Sequence, residues 1–288
     1  MIFISTTYHK KENLSLKKIL SEISKLNIDG VEIGSVHKFD TRKNYMNIIK
    51  KNFKKKILIH NFFPPLKNKN FVINIASNNK NIRNKSVNLV LKNIDFAESV
   101  GSNIYTFHPG FLSSLKPQKN IKNKNYDFNF SNKEKVDYKK GFKYMVNSLR
   151  KITKYAKNKN VKIAIETEGS TQKKNFLLMQ KPSEFKKLFK IIPKNLGINL
   201  NIAHSYFASK SYNFSLINFI KSIKKKILAV ELSCNDGIND QHLPIHNKSI
   251  NLKFVRNFKN IPIILEYRHS SLQDLKKGIK IIRSLHEK

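Results

Sequence analysis

The sequence predicts an α/β protein of the closed kind, a (β/α)8 TIM barrel, and three observations predict it. Eight short, β-rich apolar runs recur along the chain, with helical patterns between them. The 288 residues suit one barrel domain spanning 1–288, with no linker or composition break inside it. The rival is an open, doubly wound sheet, but no GxGxxG of its dinucleotide-binding members follows the first strand.

Each element follows from its own residues. The first strand is IFIS (2–5), and LSLKKILSEISKLN (14–27) after it repeats Leu and Ile at helical steps. GVEIGS (30–35) is the second strand and KILIHNF (56–62) the third. The lysines of KKNFKKK (50–56) precede that third strand, where they suit the negative end of a helix dipole. Helix NKSVNLVLKNIDFAESVG (84–101) leads into strand NIYTFH (103–108), and VDYKKGFKYMVNSLRKITKYAKNKN (136–160) into VKIAIET (161–167). GINLNIA (197–203), ILAVELS (227–233) and IPIILEY (261–267) complete the eight, and SLQDLKKGIKIIRSLHEK closes the chain as a helix. Two long connections, 63–81 and 111–135, follow strands three and four, where barrel enzymes build lids and specificity loops. The second is polar and asparagine-rich, a composition that equally suits a disordered insert.

Composition narrows the class. Apolar residues make up 40% of the chain, enough for a core, and no run approaches the ~18 apolar residues of a membrane span. The N-terminus lacks the pattern of a signal peptide, and a single cysteine, Cys234, points to a reducing compartment. The expectation is a soluble cytoplasmic protein with no membrane partner; its oligomeric state stays open. The net charge of +37 has two readings. One is a polyanion partner such as nucleic acid. The other is biased composition, because the charge is almost all lysine and only six arginines are present. Arginine forks carry specific phosphate and base recognition, so the second reading is favoured.

The chemistry gathers at strand ends. His60 ends strand three, His108 strand four, Glu166 strand five, and Asn201 with His204 strand six. Glu231 ends strand seven, with Asp240 and His242 on the loop beyond, and Glu266 and Arg268 end strand eight. Each has an ordinary explanation alone. A histidine at a strand end is commonly structural, and a glutamate can pair with a lysine. Glu168 shares the face of Glu166 and either lines the mouth or is solvated. Cys234 is expected to be inert, and Met179 and Tyr206 to pack. Together, charged or imidazole groups end six consecutive apolar strands, and burying them unpaired is costly. A metal, or a substrate rich in polar groups, would offset that cost.

The segments LIHNFFPP, YTFHPGF, IAIETEG, GINLNIAHSY, ELSCNDGINDQHLPI and IILEYRH resemble the xylose isomerase-like barrels over nearly the whole chain. That superfamily includes sugar isomerases and epimerases, related dehydratases and endonuclease IV-type AP endonucleases. In epimerase-like members one divalent ion is held by Glu, Asp, His and Glu, which the resemblance carries to Glu166, Asn201, Glu231 and Glu266. Asn201 departs from the usual aspartate and Glu231 from the usual histidine. The resulting set is all oxygen, which favours Mn²⁺ or Mg²⁺, with Co²⁺ or Zn²⁺ as alternatives. Loss of the site is the rival account of both departures.

The resemblance therefore implies a metal-dependent isomerase or epimerase of a sugar or sugar derivative, with Glu166 and Glu266 as base and acid. His60, His108, His204, Asp240, His242 and Arg268 would bind substrate, and Phe62 and Phe63 would cover a sugar face. The endonuclease type uses three zinc ions held by nine residues. Here those are His60, His108, Glu166, Asn201, His204, Glu231, Asp240, His242 and Glu266, seven of them of the expected kind. This makes an AP endonuclease acting on DNA the alternative. A dehydratase and a non-catalytic barrel are further ones.

Overall fold

A computed structural model describes residues 1–9, 15–67, 71–115, 129–131, 134–170, 176–192, 194–236, 239–249 and 252–287. Eight apolar runs become parallel strands: β1 Ile2–Ser5, β2 Gly30–Ile33, β3 Lys56–His60, β4 Ile104–Phe107, β5 Lys162–Glu166, β6 Leu196–Asn201, β7 Ile227–Leu232 and β8 Ile263–Leu265. They hydrogen-bond in sequence order, and β8 pairs with β1 to close the barrel. Nearly every strand position is buried, as both faces of a barrel wall require.

The described helices are α1 Leu16–Ser24, α2 Arg42–Asn52, α3 Lys80–Ser99, α4 Tyr138–Lys157, α5 Pro182–Ile191, α6 Ile202–Ser211, α7 Leu216–Ile223, α8 Leu252–Val255 and α9 Leu272–Glu287. Their apolar stripes, for example Met145, Leu149 and Ile152 of α4, pack on the outside of the sheet. None of the described helices is long and apolar enough to cross a membrane. Side-chain caps start several of them: Thr41 accepts from the Asn44 N–H, Asp137 from Lys140 and Ser215 from Asn218.

Inside the barrel, side chains stack in layers. Phe3, Leu58, Ile104, Ala164, Ala229 and Ile264 form a separate apolar plug. Strand alternation puts the next inward residues two positions further along, and these are polar: Ser5, His60, Thr106, Glu166, Glu231 and Glu266. Register brings Ser5 beside Glu32, His60 beside Thr106, Glu166 beside Asn199, and Asn201 beside Glu231. An apolar floor thus carries a polar layer at the C-terminal end of the strands.

Two expectations are corrected. Strand six ends at Asn201 rather than at Ala203, because the Asn201 side chain caps α6 and starts the helix there. His204 therefore stands on the first turn of α6. Phe63 is fully buried and packs on Tyr45 (ring centroids 4.7 Å apart) and Phe96 (5.4 Å), so it belongs to the core and covers no sugar. Much of the expected loop 111–135 lies outside the described residues.

Candidate metal centre and active site

The strand-end groups meet in one place, arranged as a chain of alternating carboxylates and imidazoles. His108 Nδ1 lies 2.8 Å from Glu168 Oε1 and 3.3 Å from Glu166 Oε2. His204 joins Glu166 (3.2 Å) to Asp240 (3.1 Å). His242 joins Asp240 (3.2 Å) to Glu266 (3.2 Å). The result is an unbroken path from Glu168 through His108, Glu166, His204, Asp240 and His242 to Glu266.

Charge follows that pairing. Burial alone would depress His108, but Glu166 and Glu168 beside it hold its pKa up at about 9. Burial is likewise overridden at His242, which Asp240 and Glu266 hold at about 10, and at His204, raised well above its ordinary value by Asp240 and Glu166. Three of the partner carboxylates shift the other way, while burial keeps Glu168 raised despite His108. Against burial, His108 and His204 hold Glu166 well below the usual carboxylate range. His242 lowers Glu266 against burial, and His242 with His204 holds Asp240 well below that range. These are ionised carboxylates neutralised by imidazolium ions.

Asn201 sits at the centre. Its Oδ1 accepts the His204 backbone N–H at 3.1 Å, capping α6. That fixes which end of the amide faces the pocket. Its Nδ2 donates to Glu166 Oε1 and Glu231 Oε2, both at 3.0 Å, and lies 3.4 Å from Glu266 Oε2. Gly169 lets α6 come this close: a Cβ there would lie 1.9 Å from the His204 carbonyl oxygen.

Two carboxylates lie outside the imidazolium chain. Glu231 Oε1 accepts from Asn199 Nδ2 at 2.5 Å and faces His60 Nδ1 at 3.7 Å. Burial, then Glu166 and Glu266, push its pKa well above the carboxylate range. Glu32 is completely buried, and neither of its oxygens makes a hydrogen bond of ordinary geometry. Burial and Glu266 raise its pKa as well, with partial relief from Ser5. His60, its Nδ1 2.8 Å from the Thr106 hydroxyl, is pushed by burial down to about 4 and is neutral.

Three groups bring ligand atoms within 4.8 Å of one another: His60, His108 and Glu166; His204, Asp240 and His242; and Glu32, His60 and Glu231. The central set of Glu166, Glu231 and Glu266 places three carboxylate oxygens around a single atom. That is the donor chemistry of a hard divalent ion, with the imidazolium protons as the charge such an ion would displace. Arg268 stands at the edge, half-buried; its backbone N–H donates to the His242 carbonyl at 2.9 Å, and its charge acts on Glu32 and Glu266.

Every residue expected at the strand ends is thus in or beside this cluster. A family model described as a xylose isomerase-like TIM barrel matches residues 20–285. The chain belongs to that family. Within reach of the xylose isomerase-like barrels, it is 24% identical over 280 residues to the uncharacterised protein MJ1311 of Methanocaldococcus jannaschii, covering 95% of this chain and 85% of that one. It is 24% identical over 241 residues to a probable endonuclease 4 of Persephonella marina, covering 76% and 75%. Among solved structures, a D-tagatose 3-epimerase-like protein superposes with a TM-score of 0.70 at 20% identity, covering 99% of this chain and 97% of that one. At that identity the superposition speaks for the shared fold alone.

Sequence reasoning missed Glu32, Thr106 and Asn199, and left Glu168 open. They sit inside strands or between two predicted site residues rather than at the strand ends. The available signal was period-two alternation: Glu32 lies at an inward position of an otherwise apolar strand.

Proposed function

We propose that this protein is a divalent-metal-dependent isomerase or epimerase of a sugar or sugar derivative. The observation that carries the reading is the convergence of Glu166, Glu231 and Glu266 on the Asn201 amide, two of them held ionised within a buried pocket. Glu166, Glu231 and Glu266 would hold the ion. Asn201 would join them by turning its oxygen inward, giving up its cap on α6. When bound, such an ion polarises a substrate carbonyl and stabilises negative charge on its oxygen.

The protein's own groups do the rest. Glu166 removes the proton from the carbon beside the carbonyl, leaving an enediolate. Glu266, three strands around the barrel, passes to the other side of the enediolate the proton that His242 holds 3.2 Å away. His204, Asp240 and His242 connect the two carboxylates through contacts of 3.1–3.2 Å, a path that returns the proton after each turnover. His60 and His108 orient hydroxyl groups, and Arg268 holds a carboxylate or phosphate on the substrate. The test is a panel of ketoses and aldoses, free and phosphorylated, incubated in D₂O with Mn²⁺ and followed by NMR. Deuterium should enter beside the carbonyl of at least one sugar, and Glu166→Gln should abolish the exchange. No exchange with any sugar, or unchanged exchange in Glu166→Gln, would sink the reading.

One observation favours a second reading. The groups His60–His108–Glu166 and His204–Asp240–His242 flank the central set on either side, nitrogen-rich in the manner of zinc. Together with the net charge of +37, this supports an AP endonuclease acting on DNA. Salt-sensitive cleavage of an abasic-site duplex in Zn²⁺ would establish it over the first.

A further inference from the structure

We propose that Glu32, His60 and Glu231 form a second cation site beneath the central one, with Glu231 bridging the two. The inference deepens the metal-dependent reading and rests on it only for the central ion. The ligand is a divalent transition ion, such as Mn²⁺ or Zn²⁺, suited to two carboxylate oxygens and one imidazole nitrogen.

Three observations carry the proposal. The first is geometric: the ligand atoms of these three residues lie within 4.8 Å of one another, and all three side chains are buried. The second is the state of Glu32. It is 0% exposed, and neither of its oxygens makes a hydrogen bond of ordinary geometry. A buried carboxylate left in that state is costly unless something positive accompanies it. His108, His204 and His242 stand within 3.3 Å of the carboxylates of the upper chain, whereas the ring that faces Glu231 on this side, His60, is 3.7 Å away. Two carboxylates and one imidazole nitrogen are a donor set suited to one divalent ion.

The third observation is Glu231 itself. Its Oε2 faces the Asn201 amide at 3.0 Å, on the central side, while its Oε1 faces His60 Nδ1 at 3.7 Å, on the deeper side. A carboxylate offers one oxygen to each of two neighbouring ions, which a single ring nitrogen of histidine does not. The glutamate at 231, where the resemblance leads one to expect histidine, thereby gains a purpose. Glu32 faces the same deeper position from β2, so departure at one wall is matched by an acceptor on the other.

The experiment compares metal-stripped wild type, Glu32→Gln and Glu166→Gln, titrated with Mn²⁺ alone by calorimetry and by electron paramagnetic resonance. Glu32→Gln should lose one ion per chain relative to wild type, through a fall of at least ~100-fold in affinity for it. In EDTA it should melt no lower than wild type, because the amide removes an uncompensated acid. Wild type carrying both ions should show a spin-coupled Mn²⁺ spectrum, a readout that needs no variant. Glu32→Gln that binds as many ions as wild type, with equal affinity, overturns the proposal; if Glu166→Gln loses an ion in that same series, the central reading survives. A fully loaded wild type showing only isolated six-line Mn²⁺ signals also overturns it. Wild type that takes up no ion overturns the second site and the metal-dependent reading together.

Discussion

Replacing Asn201 by Asp separates the two jobs of this side chain. Aspartate caps a helix as well as asparagine does, so the bond to the His204 N–H survives. What disappears is the NH₂ that faces Glu166 and Glu231 at 3.0 Å and Glu266 at 3.4 Å. An NH₂ supplies two hydrogens, so two hydrogen bonds to carboxylates are lost, each worth about 1.5–3 kcal/mol. A fourth carboxyl then stands among three others, and proton uptake bounds that added cost. We expect the metal-free Asn201→Asp protein to be less stable by about 3–6 kcal/mol. For a chain of this size that is a fall in melting temperature of about 5–10 °C. Saturating Mn²⁺ should reverse the order, because the new oxygen ligates while its partner still caps. The assay is thermal unfolding by circular dichroism, in EDTA and in Mn²⁺. Equal melting of the two proteins in EDTA would refute the role given to the amide.

Other consequences are as direct. Gly169→Ala should displace the N-terminus of α6 and with it His204, since the added carbon meets the His204 carbonyl at 1.9 Å; reduced metal affinity with a lowered melting temperature would show it. In metal-free protein, histidine NMR should find His108 titrating at about 9 and His60 at about 4. The stabilising contribution of His108, raised from 6.5, is complete below that value and is lost as pH rises through about 9, which urea unfolding across that window measures. Leu149→Ala, at a fully buried position of α4, should cost about 2–5 kcal/mol in the same unfolding assay without altering metal stoichiometry.

The barrel was legible because its signals are local. Each apolar run of β-branched residues is a strand whose two faces are both buried, and the helices between repeat Leu and Ile at steps of three and four. Strand boundaries shifted by a residue or two where a side chain intervened, as Asn201 does by capping α6. The strand-end residues were legible too, since parallel strands in a closed barrel deliver all their C-terminal ends to one mouth. Phe63 was misread because nothing local distinguishes an aromatic that turns into the core beneath β3 from one that faces a ligand.

Fold class, strand order and the end of the barrel at which polar groups collect follow from patterns a few residues long. Which groups neutralise one another follows from the closed barrel instead. His108 with Glu166 and Glu168, His204 with Asp240, and His242 with Glu266 are groupings whose members come from different strands, helices and loops. Nor does any local pattern show that Glu32 makes no hydrogen bond of ordinary geometry while Glu166 gains two imidazoles. Electrostatic pairing falls off over a few ångströms of space and is indifferent to distance along the chain, so it emerges only when the barrel closes.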